Sequence, residues 1–280
     1  MRTLTTVEAL RSQVSAWRSA GEGIAFVPTM GNLHEGHLQL VRHALEQAPH
    51  VVASVFVNPT QFGPGEDFDS YPRTLDSDQQ KLAAEGVQLL FAPAVDTLYP
   101  GGTQATTQIE VPEVSHGLCD DFRPGHFAGV ATVVARLFNL VQPDVAVFGE
   151  KDYQQLTVIR RMVRDLCWPI RVEGVPTVRE ADGLAMSSRN QYLGTAERRL
   201  APQLYRTLCE VAEQVRAGQI PYRELESGAM QRLADAGFRP EYVAIRHAET
   251  LQPVERGELN ARVLGAAQLG AARLIDNLGL

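Results

Sequence analysis

The 280-residue chain contains few cysteines and no long apolar run. Cys119, Cys167 and Cys209 are odd in number and widely spaced, without a Cys-x-x-Cys pair, which argues against a disulfide framework or a zinc knuckle. No apolar run approaches the ~20 residues that a membrane helix requires, and the segment Met1–Glu8 lacks the apolar core of a signal peptide. These absences predict a protein of the reducing cytoplasm, without a membrane partner.

The chain also lacks an excess of positive charge. Its formal net charge is -7, and no basic stripe interleaved with aromatic residues is visible, so we expect no nucleic-acid partner. Apolar residues make up 44% and charged residues 21%, which is ordinary for a globular protein. A length of 280 residues exceeds what one core usually serves, so two domains are expected.

Two familiar motifs are absent, and two other polar motifs are present. No Gly-Lys-Ser/Thr ending marks a Walker A loop, and His34 and His37 are three apart rather than the four of a zinc-protease helix. The first motif present is Pro28–His37, which follows an apolar run, and the second is Ala185–Asn190. Their polar groups suggest a site that receives the phosphates of ATP.

The first 176 residues alternate between strand and helix patterns. The apolar spacing predicts strands over residues 24–27, 51–57, 87–92 and 144–148, and helices near 7–20, 38–45, 75–85, 130–140 and 156–163. This alternation predicts an α/β fold: a Rossmann-like, doubly wound parallel sheet covered on both faces.

The pattern changes after about Pro176. One long helix is predicted over Thr195–Ala217 and another over Arg223–Ala236. Short strands near residues 242–246, 262–267 and 273–275 follow without intervening helices, which predicts a small antiparallel sheet. We therefore expect a larger domain at residues 1–176 and a second, smaller α+β lid domain at residues 177–280.

The first polar motif has the properties of a phosphate site. A helix that begins near Leu33–Gly36 would direct free backbone N–H groups at a phosphate. Gly31 and Gly36 permit close backbone approach, and the imidazoles of His34 and His37 can donate to phosphate oxygens. The alternative is that the two histidines only cap a helix.

The second motif offers hydroxyl groups and a cation. Ser187 and Ser188 can donate hydrogen bonds, and the guanidinium fork of Arg189 suits a pyrophosphate leaving group. Taken alone, Ser-Ser-Arg is more often a solvated turn. Its interest comes from its place at the predicted domain junction.

Further polar residues follow two predicted strands. Asn58 and Gln61 follow the second strand, and Lys151, Asp152 and Gln155 follow the fourth. Because ligands of parallel sheets bind beyond the carboxyl ends of the strands, these residues are expected to share one site. Ordinary roles remain open: a turn for Gln61, an exposed helix position for Gln155, and a charge pair at a helix start for Lys151 and Asp152.

These segments together resemble the pantoate–β-alanine ligase, or pantothenate synthetase, family of the nucleotidyltransferase superfamily, whose signature is His-x-Gly-His. The resemblance covers nearly the whole chain in order. The blocks that carry it are Val27–His37, Phe56–Gly63, Tyr71–Thr74, Arg123–Phe127, Phe148–Gln155, Ser187–Asn190 and Ala272–Asn277.

The resemblance implies an ATP-dependent amide synthesis in two steps. The carboxylate of (R)-pantoate would attack the α-phosphorus of ATP and expel diphosphate, and β-alanine would then convert the pantoyl adenylate to (R)-pantothenate and AMP. A homodimer is implied by the family alone. Mg²⁺ is expected as a cofactor because it neutralises phosphate charge.

The resemblance also assigns roles to individual residues. His37, the implied proton donor, His34, Lys151 and Arg189 would be catalytic. Gln61 would contact pantoate and β-alanine, and Gln155 would contact pantoate. Asp152 is expected near the ribose, Asn58 near the phosphates, and Val178 at the adenine. The full set expected to bind ATP is Met30, Gly31, Asn32, Leu33, His34, Glu35, Gly36, His37, Gly149, Glu150, Lys151, Asp152, Val178, Met186, Ser187, Ser188 and Arg189.

Three further residues are interpreted less specifically. Asp78 is read as a surface helix acid, with a water-mediated Mg²⁺ contact as the alternative, and no metal ligand is assigned. Asp120 stands where relatives commonly have glycine, and aspartate tolerates a left-handed turn better than most residues. Arg123 fits either a structural or a substrate-closing cation.

Two other functions share parts of this pattern. A nucleotidyltransferase that stops after attaching a nucleotide would use the same His-x-Gly-His site but would need a cationic acceptor pocket, which Gln61 and Gln155 do not supply. An RNA-binding module related to tRNA-charging enzymes is disfavoured by the net charge of -7.

Overall fold

Six strands within the first 175 residues form one parallel sheet. The structure is a computed structural model that describes residues 1–255, 257–258 and 260–280. The strands are β1 (Arg2–Leu4), β2 (Ile24–Thr29), β3 (His50–Val55), β4 (Leu89–Phe91), β5 (Val145–Gly149) and β6 (Arg171–Val175). They lie in the order β1-β4-β3-β2-β5-β6, and each pair is parallel.

Helices cover both faces of this sheet because its strands are apolar on both sides. Ile24 and Phe26 of β2 join one buried cluster, whereas Ala25 and Val27 join another. The first cluster includes side chains of α1 (Val7–Ser19), α5 (His126–Val141) and α6 (Tyr153–Asp165), and the second includes those of α2 (Glu35–Gln47) and α3 (Leu75–Ala84). The predicted Rossmann-like, doubly wound arrangement is confirmed.

The strand order reverses between β2 and β5. From β2 the chain passes through α2 to β3 on one side, and from β5 it passes through α6 to β6 on the other. The connections therefore diverge at the carboxyl ends of β2 and β5 and leave a crevice between them. Crevices at such a switch point are where open α/β sheets bind their ligands.

The remainder of the chain forms a second sheet with its own apolar core. Strands β7 (Arg239–His247), β8 (Ala261–Leu269) and β9 (Ala272–Gly279) pair antiparallel. They pack against α8 (Gln203–Ala217) and α9 (Tyr222–Asp235). The expected smaller α+β unit is thus confirmed, whereas the boundary between residues 176 and 177 stays a prediction.

Several predicted element bounds differ from the structure. The single helix predicted over Thr195–Ala217 is wrong, because Pro202 follows the end of α7 (Thr195–Leu200) and α8 begins only at Gln203. The strands β1 and β6 and the short helix α4 (Val95–Leu98) were not predicted. β6 has no continuous apolar run, because Arg171 and Glu173 interrupt its apolar residues. Within the described residues, no helix is both long and apolar enough to cross a membrane.

Candidate active site

A cleft with about 1250 Å³ of empty space opens at the switch point of the parallel sheet. Its walls come from the ends of β2, β3 and β5, from α2 and α5, and from the segment 176–189. Most of the residues predicted for the site line this cleft: Met30, His34, Gly36, His37, Asn58, Gln61, Gly149, Lys151, Asp152, Gln155, Val178, Met186, Ser187, Ser188 and Arg189.

Five residues predicted to bind ATP lie beside the cleft without lining it, namely Gly31, Asn32, Leu33, Glu35 and Glu150. Leu33 is buried in the core, Glu35 pairs with Arg42, and Glu150 pairs with Arg262 at 3.1 Å. Their contacts with ATP stay predictions.

The His motif forms the start of a helix, as predicted. His34 is the extended residue that precedes α2, and Gly36 and His37 of the first helical turn line the cleft. A Cβ at position 36 would lie 2.9 Å from Cε1 of His34, so only glycine leaves room for that imidazole. Gly31 has a φ of +84°, which allows the chain to turn between β2 and the helix.

Both imidazoles of this motif are neutral at pH 7. Burial, reinforced by Lys151, lowers the pKa of His34 to about 4. Burial and then the neighbouring His34 lower the pKa of His37 to about 3. The backbone N–H of His34 donates to Nδ1 of His37 at 3.3 Å, which places the single ring proton of a neutral His37 on Nε2. The motif can thus donate hydrogen bonds without adding a full charge.

Asp78 fixes the loop before this helix. Its carboxylate is fully buried and accepts from the N–H groups of Asn32 and Leu33 at 2.9 and 2.8 Å, and from the Thr74 hydroxyl at 3.1 Å. The interpretation of Asp78 as a surface acid is therefore wrong, because a helix position that faces an adjacent loop is indistinguishable in sequence from one that faces water.

Gln61 stands on a 3-10 helix, Pro59–Gln61, directly after β3. Its Nε2 lies 3.2 Å from Sδ of Met30, and its Oε1 accepts from Nδ2 of Asn58 at 3.1 Å. The helix α5 approaches this turn very closely, since a Cβ at Gly129 would lie 2.8 Å from Cα of Gln61. Gly129 was not singled out from the sequence, where it appears only as an interruption in an apolar helix.

The turn after β5 places Lys151 and Asp152 together, with Nζ 3.7 Å from the Asp152 carboxylate. The surrounding protein disfavours charge on Asp152, but Lys151 and then Arg189 hold the pKa of its carboxyl below the usual value. Asn277 of β9 donates to the carbonyl oxygens of Glu150 and Lys151 at 2.9 and 3.0 Å. The second sheet thereby supports the backbone of this turn.

The Ser-Ser-Arg motif faces the His motif across the cleft. Ser188 donates from its hydroxyl to the carbonyl oxygen of Asn32 at 3.2 Å. Arg189 makes a two-point ion pair with Asp67, at 3.0 Å from Nε and 2.8 Å from Nη2. Its guanidinium also lies 5.5 Å from the ring centre of Tyr71. Asp67 was not predicted, because an acid in a Gly-rich loop has no distinguishing sequence signal.

The remaining wall of the cleft is apolar. It consists of Phe56, Tyr71 and four side chains of α5: Val130, Val133, Val134 and Leu137. The sequence predicted these α5 residues only as a core stripe. The unusual feature that could have identified the wall is that α5 is apolar around most of its circumference, more than one sheet face requires.

Arg123 and Asp120 lie outside the main cleft. Arg123 makes a two-point ion pair with Glu66, at 2.6 Å for both contacts, and lies 3.2 Å from Nε2 of His126. Asp120 does not adopt the left-handed conformation considered for it; the positive φ values in this loop are at Gly117 and Leu118. Aspartate in place of glycine at position 120 therefore requires no left-handed backbone conformation.

Comparisons with known proteins agree over the whole chain. A family model described as pantoate-beta-alanine ligase matches residues 2–279. The pantothenate synthetase of Azotobacter vinelandii is 56% identical over 280 residues, covering 100% of this chain and 99% of that protein. The pantothenate synthetase of Pseudomonas aeruginosa is 55% identical over 280 residues, with the same coverage of 100% and 99%.

Solved structures agree as well. The pantothenate synthetase of Thermus thermophilus has a TM-score of 0.91 and 53% identity, covering 99% of both chains. The pantoate-beta-alanine ligase of Francisella tularensis, described as a complex with beta-gamma ATP and beta-alanine, has a TM-score of 0.83 and 32% identity, covering 99% of this chain and 97% of that one. From its full-length match to the family model and to these relatives, the chain belongs to the pantoate–β-alanine ligase family.

Proposed function

We propose that this protein condenses (R)-pantoate with β-alanine at the expense of ATP, yielding (R)-pantothenate, AMP and diphosphate through a pantoyl adenylate. The observation that carries the proposal is that one cleft is lined both by phosphate-binding groups and by two amides beside an apolar wall, which we assign to two halves of the site. Phosphate-binding groups from α2, Lys151 and the Ser187–Arg189 segment line one half. Two amides and an apolar wall line the other.

The first half suits the triphosphate. The N-terminus of α2 and the Nε2 proton of His37 supply neutral donors, and Lys151 and Arg189 supply the charge that stabilises departing diphosphate. Arg189 uses one hydrogen each of Nε and Nη2 on Asp67, so its other three N–H donors remain for phosphate oxygens. A neutral His37 acts as a proton donor only if bound phosphate charge first raises its pKa, and this role stays a prediction.

The second half suits a small hydroxy acid. Gln61 and Gln155 present amide groups, and Val130, Val133 and Val134 add an apolar surface to the same cleft. Among the described residues, Lys151 and Arg189 are the lysine and arginine side chains that line the cleft, and both belong to the phosphate half. The full-length match to the pantoate–β-alanine ligase family favours the ligase over a plain nucleotidyltransferase.

The reaction then follows from two displacements. A pantoate carboxylate oxygen bonds to the α-phosphorus as the bond to the bridging oxygen breaks, and that electron pair leaves with diphosphate. The neutral amine of β-alanine next bonds to the acyl carbon, the carbon–oxygen bond to AMP breaks, and the amine loses a proton. Adenylation is required because a carboxylate is a poor electrophile, whereas AMP is a good leaving group. Closure of the cleft over the adenylate would protect it from hydrolysis.

Mg²⁺ fits this site as an ion that arrives with the phosphates. No cluster of three or more metal-ligating side chains occurs in the described part of the chain, which does not provide a protein cage for a metal. Asp152 is the carboxylate that lines the cleft among those residues, and Mg²⁺ commonly uses one carboxylate together with phosphate oxygens and waters. The ion would be held mainly by phosphate oxygens and waters and would neutralise the charge on the triphosphate.

Further parts of the proposal rest on the family. We place the adenine beside the backbone of Val178 and the ribose near Asp152, both of which line the cleft. A homodimer and a cytoplasmic location are proposed on the same basis. The smaller α+β unit is proposed to act as a lid, because it carries Asn277 and adjoins Ser188 and Arg189 at the mouth of the cleft.

Product analysis tests the function directly. With Mg-ATP and pantoate alone, labelled diphosphate should exchange into ATP; with β-alanine added, AMP, diphosphate and pantothenate should form in equal amounts. EDTA should abolish both reactions, and excess Mg²⁺ should restore them. Formation of ADP and phosphate, or an adenylated product that β-alanine does not consume, would exclude the proposed reaction.

A further inference from the structure

A buried tyrosine outside the cleft is connected to Gln61 by hydrogen bonds. Tyr99 follows α4, is 2% exposed, and donates from its hydroxyl to Oδ1 of Asn58 at 2.8 Å. Asn58 is 1% exposed, and its Nδ2 donates to Oε1 of Gln61 at 3.1 Å and to the carbonyl oxygen of Gly129 at 3.2 Å. The chain of donors therefore runs in one direction, from Tyr99 through Asn58 to Gln61.

This direction determines which end of the Gln61 amide faces the cleft. The backbone N–H and the hydroxyl of Thr60 also donate to Oδ1 of Asn58, at 3.4 and 3.0 Å. The N–H can only donate and the Gly129 carbonyl can only accept, so these two groups place the oxygen end of the Asn58 amide among donors and its nitrogen end among acceptors. The Nδ2 group can bond only to an acceptor, which places Oε1 of Gln61 on the buried side. Nε2 of Gln61 is left on the cleft side, where it lies beside Met30.

The surroundings of Tyr99 preserve its role as a donor. Burial raises the pKa of its hydroxyl, which keeps the proton in place. The guanidinium of Arg136 lies 4.7 Å from the ring centre and donates a hydrogen bond to the carbonyl oxygen of Leu98. This cation–π contact helps to fix the position of the ring. These contacts are independent of the hydroxyl, and a phenylalanine at position 99 would retain them.

We infer that the Tyr99 hydroxyl is a positioning group that makes Gln61 a hydrogen-bond donor toward the acid substrate. The inference rests on the proposed function, in which that acid is pantoate. An amide held as a donor bonds to carboxylate or hydroxyl oxygens of the acid. An amide free to rotate would present its own oxygen for part of the time and repel the same carboxylate.

The test is a binding experiment on the full chain with Tyr99→Phe, using calorimetry with pantoate in the presence of a non-hydrolysable ATP analogue. The dissociation constant of pantoate should rise about 3- to 10-fold, the net effect of one buried hydrogen bond, whereas that of the ATP analogue should not change. Tyr222→Phe is the matched control, because it removes another buried tyrosine hydroxyl, bonded to the Gly257 N–H in the second core.

Two variants at position 61 separate positioning from a general structural effect. In a Gln61→Ala background, Tyr99→Phe should cause no further loss of pantoate binding, since its effect passes through the missing amide. Gln61→Glu should bind pantoate more weakly than Gln61→Ala, because it replaces a donor by a negative charge. An equal Tyr99→Phe loss in both backgrounds, equal weakening of both ligands, or unchanged pantoate binding would overturn the inference.

The two proposals fail in different ways. If the wild-type protein binds no pantoate, the proposed function and the ligand named here are both excluded. If the wild type binds pantoate and forms pantothenate while Tyr99→Phe binds it equally well, only the positioning role of Tyr99 is excluded.

Discussion

On the sheet side of the cleft, Gln61 is held by uncharged hydrogen bonds among buried groups, whereas on the facing segment Arg189 is held by an ion pair. Asn58, which bonds Gln61, is 1% exposed. The Arg189 and Asp67 side chains are 26% and 22% exposed, and their pair lies at the mouth of the cleft. The same cleft thus combines two kinds of support.

The difference follows from what each side must do. Leaving one member of a buried uncharged hydrogen bond without its partner costs about 1–3 kcal/mol, so Gln61 keeps one orientation before substrate arrives. The Arg189–Asp67 pair is partly exposed, so an incoming phosphate can compete with the Asp67 carboxylate for the guanidinium. We interpret the sheet side as preorganised and the facing side as exchangeable.

The largest effect is expected when the positive charge of Lys151 is removed. Lys151→Met should lower kcat for AMP formation by about 10²–10³-fold, because the charge on departing diphosphate loses its nearest fixed cation. Lys151→Arg should retain more activity than Lys151→Met. The control Arg171→Met removes an exposed cation on β6 and should leave kcat unchanged. A loss of only a few-fold in Lys151→Met would show that Arg189 and the α2 N-terminus suffice.

The position of Gln61 can be disturbed by a substitution that displaces the backbone of its 3-10 helix. Gly129→Ala would place a Cβ 2.6 Å from the Thr60 carbonyl carbon and 2.8 Å from Cα of Gln61, so the 3-10 helix must move. We expect the free energy of unfolding to fall by about 1–3 kcal/mol. The KM for pantoate should increase over the wild-type value by a larger factor than the KM for ATP.

The matched control for this change is Gly228→Ala within α9, where the nearest atom is the flexible Arg232 guanidinium at 3.5 Å. That variant should be as stable as the wild type or more so, since alanine favours a helix. Unfolding in urea and steady-state kinetics measure both quantities. If Gly129→Ala retains the wild-type stability and KM for pantoate, the close approach of α5 does not position Gln61.

Acid should lower the free energy of unfolding, because three buried histidines of the parallel-sheet region are neutral in the folded protein. The pKa values of His34, His37 and His126 are about 4, 3 and 4, below the ordinary 6.5, and burial is the main cause in each case. Between pH 6.5 and about 4, the unfolded chain therefore binds protons that the folded chain does not. The free energy of unfolding should fall with falling pH in this window, by at most ~1.4 kcal/mol per pH unit for each histidine.

His126→Asn provides the comparison for this pH effect. Urea unfolding between pH 6.5 and 4.5 should give a shallower pH dependence for the variant than for the wild type. From pH 7.5 to 8.5 the two curves should run parallel, because neither state then binds a proton at these rings. Equal slopes in the acidic window would mean that His126 titrates normally in the folded protein.

The smallest expected effect is on the exchangeable side. Asp67→Asn should lower the KM for ATP by about 2- to 5-fold, since phosphate no longer competes with a carboxylate for Arg189. The difference should shrink at high salt. Glu66→Gln is the control, because Glu66 pairs with Arg123 outside the main cleft. A higher KM for ATP in Asp67→Asn would instead assign Asp67 the task of orienting Arg189.

Local patterns predicted most of the fold. The apolar spacing of Leu10, Val14 and Trp17 predicted α1, and the β-branched run at Val51 predicted β3. Predictions failed where the pattern was weak or shared by two structures. Edge strand β6 is partly polar, and the break at Pro202 was hidden within a continuous helical stripe.

For the site, the sequence identified the groups that carry the chemistry but not those that support them. His34, His37 and Lys151 were recognisable because they follow predicted strands, and Arg189 because it belongs to the Ser-Ser-Arg motif at the predicted domain junction. The structure brings all four to one cleft. Asp67, Gly129 and Tyr99 were not recognisable, because their partners are distant in the chain. Asp78 was misread for the same reason.

Local sequence patterns were sufficient to predict the alternation of strands and helices, the order of the polar motifs and, through resemblance, the family. These depend on spacing and residue type along the chain. The folded chain was needed to show that the two histidines are neutral, that Gln61 presents a donor, and that Arg189 is held by Asp67. Each of these depends on burial and on contacts between distant segments, which local patterns do not contain.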